Sequence, residues 1–251
     1  MSQRIIEICA GSYEDALASY KGGATRIELN SALHLGGLTP SLASLKLTKQ
    51  NTNLKVITMI RPRGAGFHYT DEEFEVMKLD TKIMMENGAD GIAFGILDES
   101  GNVDVKRNKE IIDIVKSYNG EVVFHRAFDC VKDPYTTMET LIELGVTRVL
   151  TSGLENKAME GKDVIKELQA RFGDRIEILA GSGMNATNAL EMMNYTGISQ
   201  VHSSCKDWKN DPTTSANHVS YAYAPNPHEN DYDVVSVELV KTIVESIKEP
   251  R

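Results

Sequence analysis

Short runs rich in Val, Ile and Leu recur along the chain, and longer stretches follow in which apolar residues return every three or four positions. The first pattern reads as buried strand and the second as amphipathic helix. Strands are expected at Ile5–Cys9, Thr25–Asn30, Lys55–Arg61, Gly91–Leu97, Glu121–Asp129, Arg148–Gly153, Arg175–Gly181 and Ser199–Cys205. Helices are expected between them, near 13–22, 40–51, 71–87, 105–118, 134–144, 161–171, 186–195 and 234–248. Ser12, Thr39, Thr70 and Asp133 have side chains suited to N-caps. Pro40 and Pro134 fall at first helical positions, Thr70 and Glu73 have capping-box spacing, and Gly22, Gly88, Gly145 and Gly197 mark helix ends.

A weak repeat joins these pieces. Gly23-Ala-Thr-Arg-Ile, Gly88-Ala-Asp-Gly-Ile, Gly145-Val-Thr-Arg-Val and Gly197-Ile-Ser-Gln-Val each leave a helix, turn on glycine and enter a strand. Such alternation with short turns is the signature of a parallel sheet. Repeated along the whole chain, it favours closure over an open sheet. The expected fold class is α/β, a single (β/α)8 TIM barrel over residues 1–251, a length typical of that fold. Lys206–Tyr232 breaks the pattern. It is polar, lacks periodicity and follows strand eight, so it is expected as a long loop on the face where barrel sites lie.

Composition narrows the partners. Lys and Arg total 27 against 36 Asp and Glu, a formal charge of −9, which disfavours nucleic acid and basic-face adsorption to membranes. No apolar run is long enough to span a bilayer, the N-terminus does not read as a signal peptide, and a cytoplasmic location is expected. The 3 cysteines, Cys9, Cys130 and Cys205, are widely spaced and form no Cys-x-x-Cys pair, so neither a disulfide framework nor a common zinc motif is expected. The methionine pairs Met84-Met85 and Met192-Met193 read as helix-face packing.

The chemistry is expected inside the barrel. Alternate strand residues point inward, which places Glu7, Cys9, Glu28, Asn30, Glu177, Gln200 and His202 there, with Ala93 and Gly95 leaving space. Arg61 and Arg63 follow at the top of strand three. Buried charges must pair, bind a ligand or change protonation; an ion-pair network, for example Arg61 with Glu28, is the structural alternative to a site. In Phe124-His-Arg-Ala-Phe-Asp129, His125 and Asp129 share a parity and suit acid–base work, with Glu28 as a third catalytic candidate. Arg61, Arg63, Arg126, Ser152 and His202 are candidates for holding an anion. Gly181 and Gly183 join them, in a turn expected to open a helix and present free N–H groups.

The blocks Arg26-Ile-Glu-Leu29, Gly36-Gly-Leu-Thr-Pro-Ser41, Ile60-Arg-Pro-Arg63, Gly91-Ile-Ala-Phe-Gly-Ile-Leu97, Phe124-His-Arg-Ala-Phe-Asp129 and Leu150-Thr-Ser-Gly153 resemble the CutC family in order and spacing. The resemblance implies a barrel, a cytoplasmic role in copper homeostasis, and Cu(I) held by cysteines at strand ends. Cys9 fits such a place. Asn30 stands where many relatives carry Cys, which leaves Cys9 as the single thiolate there and His202 or a Met as the substitute ligand. Two functions are therefore expected to compete. One is Cu(I) handling. The other is a barrel enzyme (lyase, isomerase or hydrolase) acting on a small anionic or phosphorylated molecule. Either leaves a homo-oligomer open.

Overall fold

The computed structural model describes residues 3–248. Eight parallel strands pair in chain order and close: β1 (Ile5–Ala10), β2 (Arg26–Leu29), β3 (Lys55–Met59), β4 (Gly91–Phe94), β5 (Glu121–Phe124), β6 (Arg148–Thr151), β7 (Glu177–Ala180) and β8 (Gln200–Ser203), with β8 hydrogen-bonded back to β1. The outer helices are α1 (Tyr13–Lys21), α2 (Leu42–Asn51), α3 (Asp71–Glu86), α4 (Val105–Ser117), α5 (Pro134–Glu143), α6 (Lys162–Phe172), α7 (Ala189–Thr196) and α8 (Val237–Ser246). This is a TIM barrel. None of its described helices is long and apolar enough to cross a membrane.

Alternation along the strands divides the interior. Ile6, Ile8, Ile27, Leu29, Val56, Ile92, Phe94, Val122, Phe124, Val149, Ile178 and Val201 face the helices and join the main apolar core. Their neighbours point inward, and here the polar interior expected from the sequence is half right. Ile57, Met59, Ala93, Val123, Leu150 and Leu179 form a separate apolar cluster on the β3–β7 side. Charge is concentrated where β8, β1 and β2 meet, and around Arg148 at the opposite end of the barrel.

Local signals account for most element limits. Ser12 accepts from Asp15 N at 3.0 Å, and the Thr70–Glu73 capping box is complete. Gly23, Gly88, Gly145 and Gly197 have φ of +90°, +94°, +81° and +84°, the left-handed turn that lets each helix fold back into the next strand. Thr39 is not a cap. Helix α2 starts two residues later on Ser41, and Thr39 instead bonds the Arg61 backbone. Helix α8 starts at Val237 rather than 234.

Three larger corrections bear on the site. Strand β5 stops at Phe124, and Arg126–Cys130 is a 3-10 helix, so the parity expected between His125 and Asp129 does not exist. Helix α7 begins at Ala189, so the Gly181–Gly183 turn does not open it. Lys206–Tyr232 is not structureless: β9 (Lys206–Asn210) pairs antiparallel with β12 (Asp231–Val235), and β10 (Ser215–Ala216) pairs with β11 (Val219–Ser220). The arm is anchored through Val235 N, which donates to Asp15 Oδ1 at 2.8 Å.

Candidate metal centre at the barrel mouth

A cavity of about 520 Å³ opens at the C-terminal ends of the strands, lined among others by Cys9, Glu28, Asn30, Arg61, His125 and His202. A larger one, about 710 Å³, lies at the opposite end, and its described lining contains no Asp, Glu, His or Cys. The chemistry is therefore at the mouth.

Register builds its centre. Cys9 pairs with Glu28 across β1–β2, and Glu7 pairs with both Arg26 and His202 on the two sides of β1. One ligating atom each from Cys9, Glu28 and His202 lies within 4.8 Å of the others. Glu7 orients the imidazole: His202 Nδ1 is 2.9 Å from Glu7 Oε1, which turns Nε2 toward the cluster. Arg26 Nε lies 2.6 Å from the other Glu7 oxygen, and Arg26 also donates to Gln200 at 2.6 Å. A carboxylate behind a histidine fixes its ring and raises its basicity, the arrangement found behind metal-bound imidazoles.

Asn30 ties Cys9 to Glu28. Its amide nitrogen is 3.6 Å from Cys9 Sγ and 3.1 Å from Glu28 Oε1. The second carboxylate oxygen, Glu28 Oε2, is buried and has no hydrogen-bond partner among the described residues. Burial alone would push Glu7 up, but Arg26 first and then His202 outweigh it and hold the carboxyl at about 2. Burial pushes the Glu28 carboxyl and the Cys9 thiol up, against the opposing pull of His202. Burial opposes protonation of His202, yet its bonds to Cys9 and Glu7 push it well above the ordinary value.

Across the mouth, His125 is 3% exposed. It caps the 3-10 helix, with Nδ1 accepting from Ala127 N at 3.2 Å, so the proton of the neutral ring sits on Nε2, a buried atom with no partner. Burial, then the Arg61 charge, drives its pKa down to about 3.

The expected anion-holding arginines are occupied. Arg61 donates to the carbonyls of Leu35, Gly37 and Ala65 at 2.9, 3.1 and 2.6 Å. It does not pair with Glu28. Arg63 lies outside the mouth, clamped on Glu73 and the carbonyls of Gly64, Gly66 and His68. Arg126 binds Asp129 at 2.7 Å and Ser152 Oγ at 2.8 Å. Asp129 also accepts from Thr151 Oγ1, Ser152 N and Leu154 N at 2.5, 3.0 and 3.3 Å. Its lone pairs are taken up in holding the β6 loop, so it is no free base, and Ser152 belongs to the same knot. Gly183 lines the mouth, whereas Gly181 N bonds Thr151 O at 3.0 Å. Glu177 sits at the opposite end, bonded to Arg148 and Gln200. Sequence reasoning missed Arg26, although it shares the inward parity of Glu28, and missed Arg148, which is buried at 2% exposure.

Residues 4–207 match the profile of the CutC family. The chain belongs to the CutC family. A CutC family protein of Treponema denticola is 46% identical over 243 residues, covering 96% of this chain and 98% of that one. The human protein described as a copper homeostasis protein cutC homolog is 42% identical over 202 residues, covering 80% of this chain and 73% of its own. The solved structure of CutC from Streptococcus agalactiae superposes with a TM-score of 0.76 at 32% identity, covering 80% of this chain and 99% of that one. The match to the CutC profile takes in all eight barrel strands and therefore Cys9, Glu28, Asn30 and His202.

Proposed function

We propose that the protein handles Cu(I) in cytoplasmic copper homeostasis, taking the ion at the mouth of its barrel. The observation that carries this reading is the meeting of Cys9 Sγ with the Nε2 side of His202, in a cluster whose ligating atoms lie within 4.8 Å of one another. Cu(I) prefers soft sulfur and accepts imidazole, and it is stable with few ligands. Cys9 supplies the thiolate, His202 the nitrogen, and Glu7 holds the imidazole in place. Asn30 donates toward the sulfur, which favours its anionic form. Descriptions of relatives as copper homeostasis proteins point the same way.

The competing reading, an enzyme for a small anionic or phosphorylated substrate, is weakened at its binding end. Arg61, Arg63 and Arg126 each already bond acceptors of the protein itself. The test of the copper reading is titration of the protein and a Cys9→Ala variant with Cu(I) against a competing chelator. The variant is expected to lose at least about tenfold in affinity. Equal, weak binding by both sinks the Cys9 site.

A further inference from the structure

We propose that the same mouth is also a divalent-metal site, in which Glu28 joins Cys9 and His202 to hold Zn²⁺ with one coordination position open to the cavity. The inference builds on the site chosen above but does not depend on copper binding there.

The donor set points to it. One sulfur, one nitrogen and one carboxylate oxygen within 4.8 Å make a mixed, borderline set. Calcium and magnesium favour all-oxygen ligation, and Cu(I) has little use for a carboxylate. Zn²⁺ takes all three ligand types, and its catalytic sites typically have three protein ligands plus one exchangeable position.

Charge balance points the same way. Cys9 thiolate and Glu28 carboxylate together bring two negative charges to a place where Glu28 is 2% exposed. The neighbouring Glu7 and Arg26 cancel one another at 2.6 Å. A divalent ion neutralises the three-ligand set, whereas a monovalent ion would leave a buried excess of negative charge, which is costly.

A third, independent observation is Glu28 itself. Oε1 accepts from Asn30 at 3.1 Å, while Oε2 is buried and unpaired. Buried carboxylate oxygens without partners are uncommon and call for an explanation such as an ion. Cys9, Glu28 and His202 all line the cavity of about 520 Å³, far more room than a metal and its water fill. The open position therefore faces space for a second molecule, whose oxygen a zinc ion would polarise.

The probe is Co²⁺, a spectroscopic stand-in for Zn²⁺, titrated into metal-free protein at fixed pH, with Zn²⁺ added afterwards. The wild type is expected to bind one Co²⁺, with a sulfur-to-cobalt charge-transfer band and intense visible bands of a four-coordinate ion, both abolished by Zn²⁺. Glu28→Gln is isosteric and is expected to weaken Co²⁺ and Zn²⁺ at least about tenfold and Cu(I) by a clearly smaller factor. Thermal unfolding of that variant checks that it is folded; if it is not, Glu28→Ala, read by the same Co²⁺ and Cu(I) titrations, carries the same test. Stoichiometric Co²⁺ without the sulfur band, wild-type Co²⁺ affinity in Glu28→Gln, or equal loss of Cu(I) and Co²⁺ in that variant would overturn the inference. Failure of Cu(I) alone overturns the copper reading, and failure of Co²⁺ alone overturns this one.

Discussion

His125 makes acid a specific threat to this fold. Burial, with its ring 3% exposed, and then the Arg61 charge hold its pKa down to about 3, and no carboxylate among the described residues opposes them. An unfolded imidazole titrates near 6.5. Between these values the unfolded chain binds more protons than the folded one, so stability rises with pH. The contribution is fully present above about pH 6.5 and is lost as pH falls toward 3. At pH 5 the unfolded imidazole is almost wholly protonated and the folded one almost wholly neutral. By linkage this single group then removes about 2 kcal/mol relative to pH 8.

The perturbation is His125→Asn, which keeps an acceptor for Ala127 N but cannot titrate. Urea unfolding of wild type and variant at pH 8 and pH 5 isolates the term, because every other titrating group is common to both. Wild type is expected to lose about 2 kcal/mol more than the variant over that interval. The His125 ring protons should show no NMR titration down to pH 5. Parallel pH profiles, or a His125 titration near 6.5, would refute the reasoning.

Other outcomes follow from the geometry. Asn30→Cys places a second sulfur beside Cys9, where the amide nitrogen now lies at 3.6 Å, and should tighten Cu(I) at least about tenfold in chelator competition. Glu7→Gln strands the Arg26 guanidinium, itself 3% exposed, and should cost about 3 kcal/mol in urea unfolding. Gly153→Ala should lower Tm by roughly 10 °C, because φ is +71° and an added Cβ would meet Gly161 O at 2.2 Å, a backbone atom that cannot swing aside.

The barrel could be read from the sequence because its cause is local. Each strand needs a few apolar residues and each turn a glycine at positive φ, and both are written in adjacent letters. Parity then gave the inward positions of Glu7, Cys9, Glu28 and His202. It failed at Phe124-His-Arg-Ala-Phe-Asp129, because nothing in those residue types announces that the strand ends at Phe124 and a 3-10 helix begins. The arm after β8 was opaque for a different reason. Strand β9 is exposed on both faces and β12 is half-buried along most of its length, so burial imposes no alternation on either.

What a charge is for was the hardest thing to read. Arg61, Arg63 and Arg126 resemble an anion site in the sequence, but carbonyls and carboxylates of the protein itself bond all three. The partners of Glu7 depend on register between strands that are remote in sequence, since His202 lies 195 residues away. Closure of β8 on β1 brings them together, so Glu7 orients the imidazole only once the barrel is complete. Asn30 is the instructive case. As a letter it looks like the loss of a thiolate. In place, its amide reaches both Cys9 Sγ and Glu28 Oε1, coupling a sulfur to a carboxylate. The residue that leaves the centre poorer in sulfur thus also bonds its carboxylate, the contact on which the proposed divalent site rests.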